Sequence, residues 1–264
     1  MKNIKTVARI MWLEWLASAK ELVQYRKSVI SEIISFFVAF ILILGFSDME
    51  YFKLTYGATG SQAVLHVLIG FSFWNFGNMA MGYAASVLTG DARTGLLESK
   101  AQAIVPYYLL IFSDMLVSLI VGMLTFLLAE SYLVLTGQLF WGDLGASFLF
   151  LVFMLPSIIG MYGLGLIFGG LAFKEKTIGQ YLSLFSILLI FISDIFGSEQ
   201  MRFSFLVPFT LGIRLSRSFL AAGRMAWGDT VLYLLVNLLW LFIGVLVFNY
   251  AESRERKCGG LSNF

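Results

Sequence analysis

Residues 88–105, LTGDARTGLLESKAQAIV, form a short mixed-charge island between two long apolar runs. Gly90, Asp91 and Gly95 predict a turn in the first half of this island, because glycine and aspartate favour turn conformations. Residues 96–105 predict about two to three helical turns with apolar side chains for packing. A short helix at the inner rim of a membrane protein offers a surface to a partner. We therefore interpret the island as a cytoplasmic docking or coupling loop.

The composition identifies the chain as an integral membrane protein. Of its 264 residues 59% are hydrophobic and 13% are charged, too few charges to cover a soluble globule of this size. A transmembrane helix needs about 20 apolar residues, and such runs with their connectors occupy nearly the whole chain. We predict one membrane domain, residues 1–264, without a separate soluble catalytic domain. The first apolar run lacks signal-peptide features, so the N-terminus is expected to remain.

Charge and cysteine content exclude several classes of function. The net charge of +2 is too small to suggest a nucleic-acid partner. Cys258 is the single cysteine, which excludes an intrachain disulfide and a cysteine-based metal cluster. His66 is the single histidine and has no second histidine to form a metal site with it. We expect His66 at the outer membrane interface.

The apolar runs predict an all-α fold with six transmembrane helices, at residues 29–46, 61–87, 107–135, 146–173, 178–196 and 230–250. Basic residues near the N-terminus, in the 88–105 loop and in the tail, residues 251–264, indicate that both termini are cytoplasmic. This orientation requires an even number of spans. It makes residues 197–229 an outer re-entrant or surface hairpin, because two central arginines argue against lipid exposure. The hairpin's arginines oppose the positive-inside rule: Arg202, Arg214, Arg217 and Arg224.

Residues 1–28 predict an amphipathic helix that precedes the first span. Apolar side chains fall on one stripe, opposite a basic face: Ile4, Ala8, Met11, Trp15, Ala19 and Leu22. Such a helix suits the surface of an anionic inner leaflet. Packing against the protein's own inner rim is the alternative, and it is compatible with the first interpretation.

Polar residues inside the predicted spans mark a candidate substrate path. Glu32 and Ser35 share a face of the first span, where a carboxylate needs protein, water or headgroups around it. Asn75 and Asn78 begin a polar and small-residue stripe on the second span. The simpler interpretations are a helix-dipole position near the interface for Glu32 and helix packing for the stripe. Five glycines in the fourth run predict close backbone packing: Gly160, Gly163, Gly165, Gly169 and Gly170.

Residues 91–98, DARTGLLE, followed by an aliphatic segment and Pro106, resemble the Glu-x-x-x-Gly-Thr-Leu-Glu loop of ABC-2 type exporter permeases. Asp91 stands where Glu is common in that family, and Leu96 replaces its usual Thr. Residues 206–210, LVPFT, resemble the Leu/Val-Pro element of the family's outer hairpin. These permeases also begin with an interface helix, so the resemblance extends to the layout of nearly the entire chain.

The resemblance implies the membrane subunit of an ATP-driven exporter in the plasma membrane. An amphipathic drug, peptide, lipid or lipid-linked glycan would leave the cytoplasm or inner leaflet between two permease chains, in a homo- or heterodimer. ATP and Mg²⁺ would bind a separate ABC ATPase subunit, because this chain contains no Gly-x-x-x-x-Gly-Lys-Ser/Thr motif. The chain itself is then neither an enzyme nor a carrier of a cofactor or metal. The implied docking residues are Asp91, Arg93, Gly95, Leu96, Leu97 and Glu98.

Two other classes of function stay open. An ion-coupled secondary transporter uses intramembrane charges, for which Glu32 and Asp114 are candidates. A membrane-embedded enzyme needs a converging nucleophile, base or set of metal ligands. One histidine and scattered carboxylates provide no such group in the sequence. ATP dependence of transport in vesicles, without sensitivity to proton uncouplers, would separate the exporter from both classes.

Overall fold

The described part of the chain is helical, and no strand occurs within it. The computed structural model describes residues 4–47, 49–58, 60–139, 141, 144–174, 178–193, 195 and 203–258. Its α-helices are α1 Ile4–Gln24, α2 Arg26–Phe46, α3 Met49–Tyr56, α4 Gly60–Thr94, α5 Leu97–Ala101, α6 Tyr107–Leu135, α7 Leu144–Ala172, α8 Ile178–Ile192, α9 Thr210–Ala222 and α10 Trp227–Cys258. A 3₁₀ turn, Ser204–Leu206, precedes α9.

Five described helices are long and apolar enough to cross a membrane: α2, α4, α6, α7 and α10. The chain is therefore a multi-pass helical membrane protein, as predicted. The bounds of α6 coincide with the predicted span, whereas α4 and α10 continue beyond theirs. α8 has 15 residues, about 22 Å of helix, which is shorter than a hydrocarbon core of about 30 Å. The sixth span and the re-entrant hairpin stay predictions.

α7 packs between α4 and α10, and glycines permit the close approach. A Cβ on Gly163 would overlap the backbone of Trp240 and Leu241 in α10. A Cβ on Gly165 would lie 2.5 Å from the carbonyl oxygen of Met81 in α4. Because side chains larger than hydrogen have no room there, the two contacts select glycine. The predicted backbone-to-backbone packing of the fourth run is confirmed at these positions.

A tyrosine hydroxyl from α10 enters the hydrogen-bond ladder of α7 beside Pro156. The Ser157 amide donates to the Tyr233 hydroxyl at 3.0 Å, and this hydroxyl donates to the Phe153 carbonyl at 2.6 Å. In an unbroken helix the Ser157 amide would donate directly to the Phe153 carbonyl. Proline disturbs the preceding turn and lacks its own amide hydrogen. The Tyr233 hydroxyl thus provides hydrogen bonds for both the Ser157 amide and the Phe153 carbonyl.

α9 carries a completely buried arginine, Arg217. Its Nε and Nη2 donate to the His66 carbonyl at 3.2 and 3.0 Å, and Nη2 also donates to the Ile195 carbonyl at 3.1 Å. Its guanidinium carbon lies 4.8 Å from the ring centre of Phe52, within cation–π range. The prediction that the arginines of this segment avoid lipid is confirmed for Arg217.

His66 is buried inside the protein near the first turns of α4, and its predicted position at the outer membrane interface stays a prediction. Its ring stacks on Phe52 and Tyr56, with centroid distances of 5.7 and 4.9 Å. Both aromatic rings belong to α3, which forms within the stretch predicted as a short outer loop. The eight residues of α3 fold back on α4, so the beginning of α4 is covered by protein.

Candidate functional site

α4 continues through the predicted turn and ends before Gly95. Gly90 and Asp91 lie within α4, so the prediction that they form a turn is wrong. Gly95 has a φ of 74°, a conformation that glycine adopts without strain. The Leu96 amide donates to the Asp91 carbonyl at 2.9 Å, as in a Schellman helix end. Of the three predicted turn residues, Gly95 alone makes the turn.

Leu96 and Leu97, the two apolar residues among the implied docking residues, have different surroundings. Leu96 is 48% exposed, whereas Leu97 is 2% exposed and packs in the core. α5 begins at Leu97 and has five residues, fewer than the predicted two to three turns. Arg93 and Glu98 are exposed on either side of Leu96. We call Arg93, Leu96 and Glu98 the loop surface; Leu97 anchors this surface to the bundle.

Lys100 of α5 connects three other helices through carboxylates. Its Nζ lies 2.8 Å from Glu14 Oε1 in α1, 3.2 Å from Asp91 Oδ2 in α4 and 4.0 Å from Asp114 Oδ2 in α6. We call these four residues the Lys100 cluster. Across the described ranges, no group of three or more histidine, cysteine, aspartate or glutamate residues has a geometry suited to a metal ion. The Lys100 ammonium is the cation that pairs with these three carboxylates in the described part of the chain.

The carboxylates of the Lys100 cluster also accept hydrogen bonds from neighbouring hydroxyls. Ser18 donates to Asp114 at 2.5 Å, and Tyr107 donates to Asp91 at 2.7 Å. Burial alone would lower the pKa of Lys100, but its hydrogen bond to the α1 carboxylate and the surrounding negative charges outweigh burial and raise this pKa above its ordinary value. Lys100 therefore keeps its charge throughout the physiological pH range.

A cavity of about 630 Å³ lies beside the Lys100 cluster, between α1, α2, α4 and α6. We call it the acidic cavity, because Lys100 is its single cationic lining residue in the described part of the chain. Aliphatic, tyrosine, serine and threonine side chains form the rest of its wall. Its carboxylates are Glu14, Glu21, Glu32, Asp91 and Asp114.

The acidic cavity brings together residues that were predicted for two separate sites. Asp91 and Leu96, predicted for docking, line it together with Glu32, predicted for the substrate path. The cavity therefore extends from the loop to the first membrane helix. The other predicted path residues do not line it: Ser35, Asn75 and Asn78.

Comparison with known proteins gives no assignment. No protein-family model and no curated protein matches the chain. Its function is therefore inferred from its residues and their geometry.

The polar and small residues of the stripe on α4, which include Asn78, Gly82 and Ser86, have different surroundings along the helix. The Asn78 side-chain oxygen is buried and has no hydrogen-bond partner among the described residues. A Cβ on Gly82 would meet nothing within 4 Å, so this glycine is not a close helix contact. Ser86 is exposed and lines the acidic cavity. Ser86 therefore agrees with a cavity-lining position, and helix packing by Asn75 and Asn78 stays a prediction.

Glu14 and Lys100 are the cluster residues that the sequence interpretation missed. Glu14 lies between two Trp-Leu pairs, in the sequence WLEWL of residues 12–16. A carboxylate in such apolar surroundings indicates an ion-pair or hydrogen-bond partner. Lys100 is the sole cation of residues 96–105. These two signals were present, but the 86-residue separation between Glu14 and Lys100 hides their pairing from any local pattern.

Proposed function

We propose that this chain is the membrane subunit of an ATP-driven exporter of the ABC-2 type. The observation that carries the proposal is the exposed loop surface at the end of α4, fixed to the bundle by Leu97 and Lys100. ATP and Mg²⁺ bind a separate ATPase subunit, and a second permease chain completes a homo- or heterodimer. The substrate is an amphipathic molecule that leaves the cytoplasm or the inner leaflet of the plasma membrane.

The proposed orientation places both termini and the loop in the cytoplasm. Contacts between these segments support it, because Lys100 of α5 pairs with Glu14 of α1, and Arg256 of α10 donates to the Ala101 carbonyl at the end of α5. Their shared basic character favours the cytoplasmic side. With α8 as the fifth crossing and residues 197–229 as an outer re-entrant hairpin, the proposed topology has six spans.

Motion of the docked ATPase reaches the membrane helices through short, rigid connections. Leu96 binds the ATPase, while Leu97 next to it packs in the permease core. Lys100, one helical turn further along α5, pairs with carboxylates of α1, α4 and α6. A displacement of α5 therefore acts on three helices at once. Arg93 and Glu98 contribute rim contacts, and these add less binding energy than a central apolar anchor.

The substitution Leu96→Asp tests the docking surface. The tagged chain is purified from native membranes, and vanadate-sensitive ATP hydrolysis in the eluate is measured. We expect the wild type to retain ATPase activity and Leu96→Asp to lose at least about tenfold, as for a binding anchor worth about 2 kcal/mol. Arg93→Ala is expected to lose less than about fivefold, since rim charges contribute under about 1 kcal/mol.

Leu54→Asp is the matched control, because Leu54 is also exposed but belongs to α3 at the opposite end of α4. It should retain wild-type ATPase activity in the eluate. Two results contradict the proposal: an eluate of the wild type without ATPase activity, and full activity in the Leu96→Asp eluate. Size-exclusion profiles of each variant show whether the permease itself is intact.

The acidic cavity favours one other function, ion-coupled secondary transport. Carboxylates near a substrate cavity can exchange protons or cations during transport. In inverted membrane vesicles, an exporter requires ATP and works in the presence of a proton uncoupler. A secondary transporter works without ATP and stops when the uncoupler removes the proton gradient. The two proposals thus predict opposite results in the same assay.

A further inference from the structure

We propose that the acidic cavity binds a lipophilic organic cation, the substrate class of the exporter; in this respect the inference rests on the proposed function. The cavity volume of about 630 Å³ is far too large for a metal ion. It falls within the range of about 300–1,000 Å³ that is typical of small-molecule sites. The size of the cavity therefore indicates an organic ligand.

The charged residues that line the cavity favour a positively charged ligand. Five carboxylates and one ammonium group line it among the described residues. Lys100 pairs with three of these carboxylates, whereas Glu21 and Glu32 have no ion-pair partner in the described part of the chain. Glu21 and Glu32 lie on different helices, α1 and α2, on opposite sides of the α1–α2 junction. A cation between these two helices would compensate both charges.

The uncharged residues that line the cavity favour a ligand with a large hydrophobic part. Leu22, Val29, Val87 and Val117 provide apolar surface, and Tyr83 adds an aromatic ring. Apolar surface stabilises a hydrophobic ligand, and aromatic rings bind organic cations through cation–π attraction. A small inorganic cation would leave this apolar surface unused. The wall and the charges together fit a lipophilic cation rather than a neutral lipid or an anion.

Tetraphenylphosphonium and tetraphenylborate provide a matched pair of probes. They share size, shape and apolar surface but carry opposite charges. The purified full chain is reconstituted in nanodiscs of zwitterionic lipid, and equilibrium binding of radiolabelled tetraphenylphosphonium is measured. We expect saturable binding of one cation per chain, and no saturable binding of tetraphenylborate measured in a separate sample, because the two ions form an insoluble salt when mixed. Equal binding of the anion would show apolar partitioning and would overturn the proposal.

Two variants locate the binding site. The double substitution Glu21→Gln/Glu32→Gln keeps the volume of the cavity and should weaken binding by about tenfold, the effect expected of two partly exposed charges. Ser86→Trp keeps every charge but places a bulky indole in part of the cavity, and it should weaken binding. Glu255→Gln removes one carboxylate outside the cavity and should retain wild-type affinity. Unchanged affinity in both the charge variant and the filling variant overturns the proposal.

This binding assay is independent of the ATPase. Saturable cation binding by a chain that retains no ATPase in native membranes would preserve the site but contradict the exporter. An associated ATPase with no cation binding by the permease would support the exporter and contradict the cation site. Either failure therefore identifies which of the two proposals is wrong.

Discussion

The backbone of Gly244 in α10 lies directly against the backbone of Gly163 in α7. A Cβ added to Gly244 would overlap the carbonyl oxygen of Gly163. This is the closest kind of contact that two helices make, and it allows dispersion forces between backbones along the crossing. In lipid, where apolar side chains gain little by leaving the solvent, such close packing is a main source of helix association.

Gly244→Ala should therefore destabilise the protein by about 1–3 kcal/mol, the usual cost of overpacking. Thermal unfolding in detergent measures the change. Gly82→Ala is the control, because a Cβ at Gly82 meets open space. It should be neutral or stabilising by up to about 1 kcal/mol through helix propensity. Equal loss of stability in both variants would contradict the packing argument.

Tyr233→Phe should lower stability by about 1–3 kcal/mol, because the α7 groups that share the tyrosine hydroxyl lose a partner in a buried site. Pro156→Ala removes the cause of the disturbed ladder and lets the helix hydrogen bonds close. We expect Pro156→Ala to cost less in the Tyr233→Phe background than in the wild type. A double-mutant cycle in thermal stability measures this coupling, and additive effects would show that the hydroxyl and the proline act independently.

Arg217→Lys should destabilise the protein although it keeps the charge. A lysine ammonium does not reproduce the planar fork of donors that reaches two separate carbonyls. We expect a loss of about 2–3 kcal/mol, the cost of buried charged groups with imperfect partners. The matched control is Arg224→Lys, because Arg224 is exposed just after α9. The fraction of monodisperse protein after mild heating in detergent reports both variants.

Lys100→Met should destabilise the contact between α1 and the rest of the bundle. It leaves three carboxylates close together without their cation, and the partial exposure of the cluster limits the expected cost to about 1–3 kcal/mol. Adding Glu14→Gln to Lys100→Met should recover part of the lost stability, because it removes one uncompensated charge. Lys20→Met, on the exposed face of α1, should have no effect. An unchanged melting temperature in Lys100→Met would contradict a structural role of the cluster.

Single cysteines in a Cys258→Ser background test the proposed topology. Phe203 and Ala222 are exposed residues of the proposed outer hairpin, and cysteines there should react with a membrane-impermeant maleimide in intact cells. Ser99→Cys on the exposed side of α5 should react only after permeabilisation. Reaction of all three positions under the same condition would rule out six spans with cytoplasmic termini.

The N-terminal helix shows how far periodicity alone reaches. An amphipathic helix was predicted and α1 is present, but the side packed on the protein includes Val7, Glu14 and Ser18 and leaves Ala8 exposed. Ser113 of α6 donates to the Met11 carbonyl at 2.6 Å, so part of the packing uses backbone. This agrees with the alternative that α1 packs on the inner rim. A hydrophobic stripe carries no information about polar contacts of this kind.

Most of the helical layout could be predicted because apolar runs define membrane helices directly. The details that depend on tertiary contacts were not predictable. α4 passes through Gly90 because helix packing outweighs the cost of one glycine, and α3 forms where its rings cover His66. The acidic cavity requires α4 and α6 to meet the consecutive helices α1 and α2, which lie earlier in the sequence. Glu32 and Asp114 were the sequence signals for such a site.

Arg217 also sets an order of events during biosynthesis. Its acceptor on α4, the His66 carbonyl, is 151 residues earlier in the chain, so about three fifths of the protein must be synthesised between the two partners. Until α9 is synthesised, the His66 carbonyl near the beginning of α4 lacks the guanidinium, and α9 itself carries a charge that lipid does not solvate. The contact between α4 and α9 therefore forms late in synthesis, and the packing of α10 on α7 follows it. Ribosome-bound chains that stop before α9 should remain sensitive to quality-control proteases, and longer chains that expose both α9 and α10 should become resistant.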